Sequence, residues 1–320
     1  MKKFIIITSA IIIVIVSALL IYYFADNYDE FYNISTAEYD IPGLNDGFTP
    51  QGIAYVDENN VLMSGYMKDG SLSRIYVVNP NNNSYKYVTL SNDSEGFYGH
   101  CGGITTDGQD VWIASEKTVY RLSLEDLLNT EQNKEIEVID TFTPCNNADF
   151  ICYQDGYLWI GEFYHKSKYP TDPSHHFKVS EDITNHSIVS QYLINSDKPC
   201  KIEETPNYII SVPDLCQGMA FSNSNKVILS TSYSIANSNI YVFPQIDYEA
   251  WDTVLKVNGI DVPVYHLVAD EAETHISAPC MSEEIYYNDG KVYILFESAC
   301  KKYKIFVREA LDKVYSIQVA

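Results

Sequence analysis

Cationic side chains are scarce. The 320-residue chain has 21 Lys+Arg against 43 Asp+Glu, a formal net charge of −22. Nucleic-acid binding by phosphate neutralisation is excluded on so acidic a surface, and an anionic membrane surface would be repelled by it overall. Familiar catalytic signatures are missing too. The sequence contains no Gly-x-Ser-x-Gly, no P-loop, no Gly-x-Gly-x-x-Gly, no His-Glu-x-x-His and no EF-hand loop. Among 7 cysteines no pair has Cys-x-x-Cys spacing, which excludes a zinc ribbon or a dithiol redox motif. Apolar residues are not lacking: 46% of the chain is hydrophobic and 27 residues are Tyr, so a sizeable core is expected and disorder is excluded.

The first residues form a separate object. Lys2 and Lys3 precede an apolar run from Phe4 to Phe24, and Asp26, Asp29 and Glu30 follow it. Twenty-one helical residues span roughly 30 Å, the thickness of a bilayer's hydrocarbon layer. Tyr22 and Tyr23 fall where an interfacial aromatic belt would lie. Basic residues before the run place the N-terminus in the cytoplasm and the remainder outside. The expectation is a signal-anchor helix over residues 1–25 and an extracytoplasmic domain over 26–320, single-pass and membrane-bound. The alternative is secretion after signal cleavage, but Tyr23-Phe24-Ala25 is a poor cleavage site.

Beyond residue 30 a pattern recurs. Pro-Gln-Gly-Ile-Ala-Tyr (50–55), Cys-Gly-Gly-Ile-Thr-Thr (101–106), Asn-Ala-Asp-Phe-Ile-Cys (147–152), Cys-Gln-Gly-Met-Ala-Phe (216–221) and Ser-Glu-Glu-Ile-Tyr-Tyr (282–287) each read as a short strand. Each precedes an Asn, Asp or Gly turn and then a second apolar strand, beginning at Val61, Val111, Leu158, Val227 and Val292. A hairpin returning every 46 to 69 residues, with further strands between, is the signature of propeller blades. The expected fold is therefore all-β, a five-bladed propeller preceded by one transmembrane helix. Six blades stay open, because the insertion at 195–213 has room for extra strands; a linear two-sheet sandwich is the competing architecture.

Outer strands are expected at Ser73–Val78 and Ser84–Leu90 in the first blade, and at Thr118–Leu124 and Glu135–Thr141 in the second. A further insertion falls at 164–176. Val314–Val319 reads as a third strand, leaving the last blade one strand short. Asn33–Ile41 has strand character and no blade of its own, so it is expected to close the ring as the outer strand of that blade.

Pro50-Gln51-Gly52, His100-Cys101-Gly102-Gly103, Gly161-Glu162-Phe163-Tyr164, Val212-Pro213-Asp214 with Gln217-Gly218-Met219-Ala220-Phe221, and Phe296-Glu297-Ser298 resemble segments of uncharacterised exported bacterial propeller proteins. The blade pattern is also similar to the broad superfamily of gluconolactonase-like, NHL-repeat and glutamine-cyclotransferase propellers. That resemblance implies fold more than chemistry. Lactonase-like members hold a divalent metal in the central channel with acid and Asn side chains, but none of those ligands can be placed on this chain.

Propeller geometry indicates a site. Inner strands start, and second strands end, on one face of the disc, around the channel mouth. The first set comprises Gln51, His100, Asn147, Asp149, Gln217, Glu283 and Glu284; the second comprises Tyr66, Glu116, Glu162, Phe163, Ser232 and Glu297. Polar groups so close to apolar strands must be hydrogen-bonded, hydrated or liganded. His100 and Glu283 are the acid–base candidates, and Gln51, Asp149, Glu162, Gln217, Glu297 and His165 the ligand-binding ones. Carboxylates crowded at one mouth raise one another's pKa values unless a divalent cation, a cationic group or His100 compensates. The plain alternative is that these side chains bridge neighbouring blades.

His165, His175 and His176 bracket the loop 166–173. Imidazoles near carboxylates suit a transition metal, yet adjacent residues on a strand point apart, so solvated surface histidines are the expectation. Cys101, Cys145, Cys216 and Cys280 precede inner strands. Buried packing with one or two disulfides is expected of the cysteines, and a Cys101–His100 dyad is not. Two functions survive: a membrane-tethered propeller binding a small molecule, peptide or glycan, and a metal-assisted hydrolase or lyase of the lactonase or esterase type.

Overall fold

The computed structural model describes residues 7–8, 11–17, 28–251 and 253–319. Most of the apolar run 4–24 thus lies outside the described residues, and no helix among those described is long and apolar enough to cross a membrane.

Five sheets, each antiparallel through its four blade strands, are arranged as blades. Their inner strands are Phe48–Asp57, Gly103–Thr106, Phe150–Gln154, Cys216–Phe221 and Ser282–Asn288. Each pairs with the following second strand, Asn60–Met67, Asp110–Ser115, Tyr157–Gly161, Lys226–Thr231 or Lys291–Phe296. All five expected hairpins are present. The turns show why: Asp155-Gly156 and Asp289-Gly290 both adopt positive φ at the two central positions, 50° and 85° in one, 47° and 81° in the other. That is the backbone a two-residue hairpin needs to match strand twist, and Asp-Gly tolerates it best.

The inner strands pack side by side in ring order, the first also against the fifth. Five apolar layers fill the gaps between successive blades. Phe48 and Tyr76 meet Leu295 and Val314 between the fifth blade and the first, which completes the circle. Ser35–Asp40 pairs antiparallel with Lys313–Gln318, so the N-terminal strand is the outer strand of the last blade, as expected.

Three expectations need correction. Glu135–Thr141 does not act as one strand. Glu135–Glu137 pairs parallel with Tyr85–Asn92 of the first blade, and only Asp140–Phe142 completes the second. The chain crosses from one blade edge to the next within that stretch, so its continuous strand character hides two destinations. Second, 195–213 is not a free insertion, since Tyr208–Val212 is the fourth strand of blade three. Beyond it the hairpin Thr253–Val257 and Ile260–His266 adds to the same sheet through a parallel pairing. The extra strands widen blade three and the count stays at five. Third, all seven cysteines are free. Cys101, Cys200, Cys216 and Cys300 pack as small apolar residues in four of the blade layers, with Cys145 and Cys152 packed against two of these.

Candidate functional site at the channel mouth

A recurrent bulge builds the mouth. Register shifts between Pro50 and Gly52, between Cys216 and Gly218, and between Ser282 and Ile285 leave Gln51, Gln217 and the pair Glu283-Glu284 out of the ladder. A bulge re-aims the side chain it carries. The following glycine is required by close approach: a Cβ on Gly52 would lie 2.8 Å from the Ile104 nitrogen, and one on Gly218 2.7 Å from the Glu284 Cα. Gln-Gly at an inner-strand start therefore encodes an outward-aimed amide and tightly packed neighbouring strands.

The mouth is a cavity of about 810 Å³. Gln51, His100, Asp149, Gln217, Glu283 and Glu297 all line it, as do Tyr66, Glu116, Asn147, Phe163 and Ser232. The structure thus brings together nearly all the residues expected there, from all five blades. Three stand elsewhere, the first being Glu284, which is buried beneath the floor and accepts the backbone N–H groups of Ile53, Ile104 and Ile151. Glu162 is buried behind the wall, where it accepts the Ile188 and Asn147 backbone N–H groups at 3.2 and 3.4 Å and meets His175 Nδ1 at 2.9 Å. His165 sits on the rim, its ring 4.1 Å from that of Tyr233.

The histidine loop is also not simply solvated. His175 is buried against Glu162, and His176 packs edge-on to His186, which is held in turn by Asp214 at 3.0 Å. Among the described residues, no three His, Cys, Asp or Glu side chains are grouped so that they could hold a metal ion. The donor set does not fit the divalent cation of lactonase-like propellers.

On one side of the floor the polar groups form a connected chain. His100 Nε2 lies 2.5 Å from Gln51 Oε1, and Gln51 Nε2 donates to Glu297 Oε2 at 2.9 Å and to the Pro50 carbonyl at 2.8 Å. Because a carboxamide oxygen only accepts, His100 carries its proton on Nε2. Glu283 is hydrogen-bonded to Glu297. Burial raises Glu283 well above the ordinary carboxyl range, and the Glu297 charge raises it further. Glu297 is pushed up to about 7 by burial, opposed by Lys302 and by the bonds from Glu283 and Gln51. Near neutrality the pair therefore holds at least one proton, with Glu283 donating. Asp149 is also raised by burial, to about 7, although it accepts the Phe163 backbone N–H at 2.7 Å. His100 is held below its ordinary value by the surrounding wall and by Lys302, so it is neutral here; solvent reaches part of the ring, which limits the drop.

Lys302 is the cation that the acid cluster calls for, and sequence reasoning missed it. Its ammonium lies 4.8 Å above the rings of both Tyr66 and Tyr303 and donates to the Tyr66 hydroxyl. Tyr303, Phe306, Lys168, Tyr169, Tyr233 and Ile235 complete the wall from long connections that no strand periodicity marks. Cys101 is buried with its thiol pushed up to about 12 by that burial, which removes it as a nucleophile.

No protein-family model and no curated protein matches the sequence. Solved structures similar in chain path include the PQQ-bound aldose sugar dehydrogenase of Streptomyces coelicolor, 10% identical over 90% of this chain and 97% of that one, with a TM-score of 0.49. A putative oxidoreductase (glucose dehydrogenase) of Thermus thermophilus is 11% identical over 88% and 99%, with a TM-score of 0.45. A Bacteroides thetaiotaomicron protein of unknown function is 14% identical over 85% and 70%, with a TM-score of 0.37. Likeness at this level carries no chemistry to this chain. The propeller rests on the strand pairing above.

Proposed function

We propose that the chain is a membrane-anchored extracytoplasmic propeller that binds a small, uncharged polar molecule at its channel mouth. The observation that supports this reading is the bonded chain His100–Gln51–Glu297–Glu283, drawn from three blades and open to an aromatic-walled cavity of about 810 Å³. Cavities of that size suit small molecules. Lining acids Glu116, Asp149, Glu283 and Glu297 are balanced by Lys117, Lys168 and Lys302 together with the protons the buried carboxyls retain. Side chains that both donate and accept, beside Tyr66, Phe163, Tyr169 and Tyr303, match the hydroxyls and apolar face of a sugar-like ligand.

A second reading, acid–base catalysis, is favoured by the proton-sharing Glu283–Glu297 pair. It requires no metal: one carboxyl would donate a proton while the other accepts one. The test is a melting-temperature screen of the full-length protein in detergent against neutral sugars, sugar lactones and short peptides. A sugar should raise the melting point of the parent, and Gln51→Ala and Glu297→Gln should each reduce that gain. Turnover of a lactone that Glu283→Gln abolishes would select the enzyme. If no polar ligand shifts the parent, the binding reading fails.

A further inference from the structure

The connection that leaves the second strand of blade five carries Lys301, Lys302, Lys304 and Arg308 within eight residues, in a chain with 21 cations against 43 acids. Between these basic residues Ile305 is 77% exposed and Phe306 63%. Exposed large apolar side chains interleaved with cations are the chemistry of an interfacial segment, which places apolar tips below the headgroups and charge among them. The rest of the surface is acidic and has the opposite tendency.

The position of this segment gives it meaning. Lys302 and Phe306 line the channel mouth, so the loop belongs to that face. The chain enters the propeller on the same face. Arg308 lies 5.0 Å over the ring of Tyr28, and the Tyr28 hydroxyl donates to Asn237 Oδ1 at 2.8 Å. Asn237 closes the loop whose Ser232–Ile235 stretch also lines the mouth. The apolar run ends at Phe24, four residues before Tyr28. Four residues reach at most about 14 Å even when fully extended.

We infer that the channel mouth faces an anionic bilayer, with the 301–308 loop seated among its headgroups. The inference rests on the anchored reading of residues 4–24. If that run leaves the hydrocarbon near Phe24, the Tyr28 backbone stands within about 14 Å of the exit point, and Arg308 packs over the Tyr28 ring, which holds the 301–308 loop close to the headgroup layer. A ligand would then reach the cavity from the interfacial layer, past Phe306.

Full-length protein is reconstituted in vesicles of equal phosphatidylglycerol and phosphatidylcholine, with bromine on the acyl chains near the headgroup. Phe306→Trp is compared with Tyr85→Trp, which is exposed at the start of an outer strand on the opposite face. Emission from Phe306→Trp should be quenched severalfold more strongly. Adding Lys301→Glu and Lys304→Glu should weaken the quenching, since each charge near an anionic surface is worth about fivefold in partitioning. If the protein withstands an alkaline carbonate wash but both tryptophans are quenched alike, the orientation is wrong while the anchor stands. If carbonate releases the protein, the anchor fails and the inference falls with it. If pure phosphatidylcholine quenches equally and the charge changes have no effect, an anionic partner is ruled out.

Discussion

Glu284 on the inner strand of blade five accepts the backbone N–H of Ile53 on blade one at 2.8 Å. The same carboxylate accepts Ile104 N–H of blade two at 2.9 Å and Ile151 N–H of blade three at 3.1 Å. One buried side chain thus ties four of the five inner strands together on the axis. Room for it exists because neighbouring strands carry glycine: a Cβ on Gly103 would stand 2.6 Å from Glu284 Oε1. Burial raises its pKa well above the ordinary range, and the three N–H donors oppose that rise. Glu284 is a structural plug beneath the site, although it neighbours Glu283 in sequence.

Glu284→Gln should destabilise the propeller strongly. The carboxamide keeps one acceptor oxygen and turns an NH₂ toward backbone donors, leaving at least one N–H buried without a partner. Such a loss costs about 1–3 kcal/mol per group. Chemical denaturation should show a drop of at least that size, with the mouth variant Glu297→Gln far less affected. Equal effects would mean that Glu284 bears no special load.

Stability should fall as pH rises through neutrality. The folded-state values of Asp149 and Glu297, each about 7, lie above the ordinary carboxyl range. Between their unfolded values near 4 and about 7, the folded state holds more protons than the unfolded one, so increasing pH destabilises it. Each group contributes at most ~1.4 kcal/mol per pH unit. Lowered His100 acts in the opposite sense, but only below about 6.5. Melting temperatures should therefore decline as pH rises from about 5 to about 7, most cleanly at the upper end where His100 no longer opposes, and Asp149→Asn, whose carbonyl still accepts from Phe163, should flatten the decline. A flat parent curve would contradict the buried titrations.

Much of this was legible because the repeat carries its own geometry. Gln51-Gly52 and Gln217-Gly218 announce a bulge and a tight contact, and both glutamines reach the mouth. Glu284 was harder to read, since its role depends on glycines missing side chains in other blades, a property of the ring and not of its own segment. Its third partner, Ile151, also lies one residue beyond the register that the blade-three motif suggests beside Ile53 and Ile104. Lys302, Tyr303 and Phe306 lie in an aperiodic connection, where neither alternation nor turn chemistry points inward. Glu162 had the right strand position, yet the 164–176 loop folds His175 back over it and seals it from the cavity.

Removing residues 28–40 should open the ring. Ser35–Asp40 covers the edge of Lys313–Gln318, and Phe31 of the preceding helix packs 6.1 Å from Phe296 and 5.7 Å from Tyr315. Each lost ladder bond costs about 0.5–1.5 kcal/mol, and the uncovered strand becomes an edge prone to association. The truncated chain should melt lower and elute as larger species in size-exclusion chromatography. An unchanged melting point would show that the last blade needs no closing strand.

Lys302→Met should move the mouth's proton balance without emptying the cavity. Methionine keeps most of the apolar stem against Tyr66 and Tyr303 but removes the charge that lowers Glu297 and His100. With the cation gone, ionised Glu297 loses its compensation, so its midpoint should rise above about 7. Protonated His100 loses a repelling neighbour, so its midpoint should rise as well. Both titrations can be followed by NMR with carbon-13 in the Glu carboxyl and the His ring, using Lys302→Arg as the charge-preserving control. The arginine variant should stay near the parent, because a cation above the two rings suffices. If Lys302→Met leaves both midpoints in place, the lysine is a rim residue held by its rings, and burial alone sets the protonation of the Glu283–Glu297 pair.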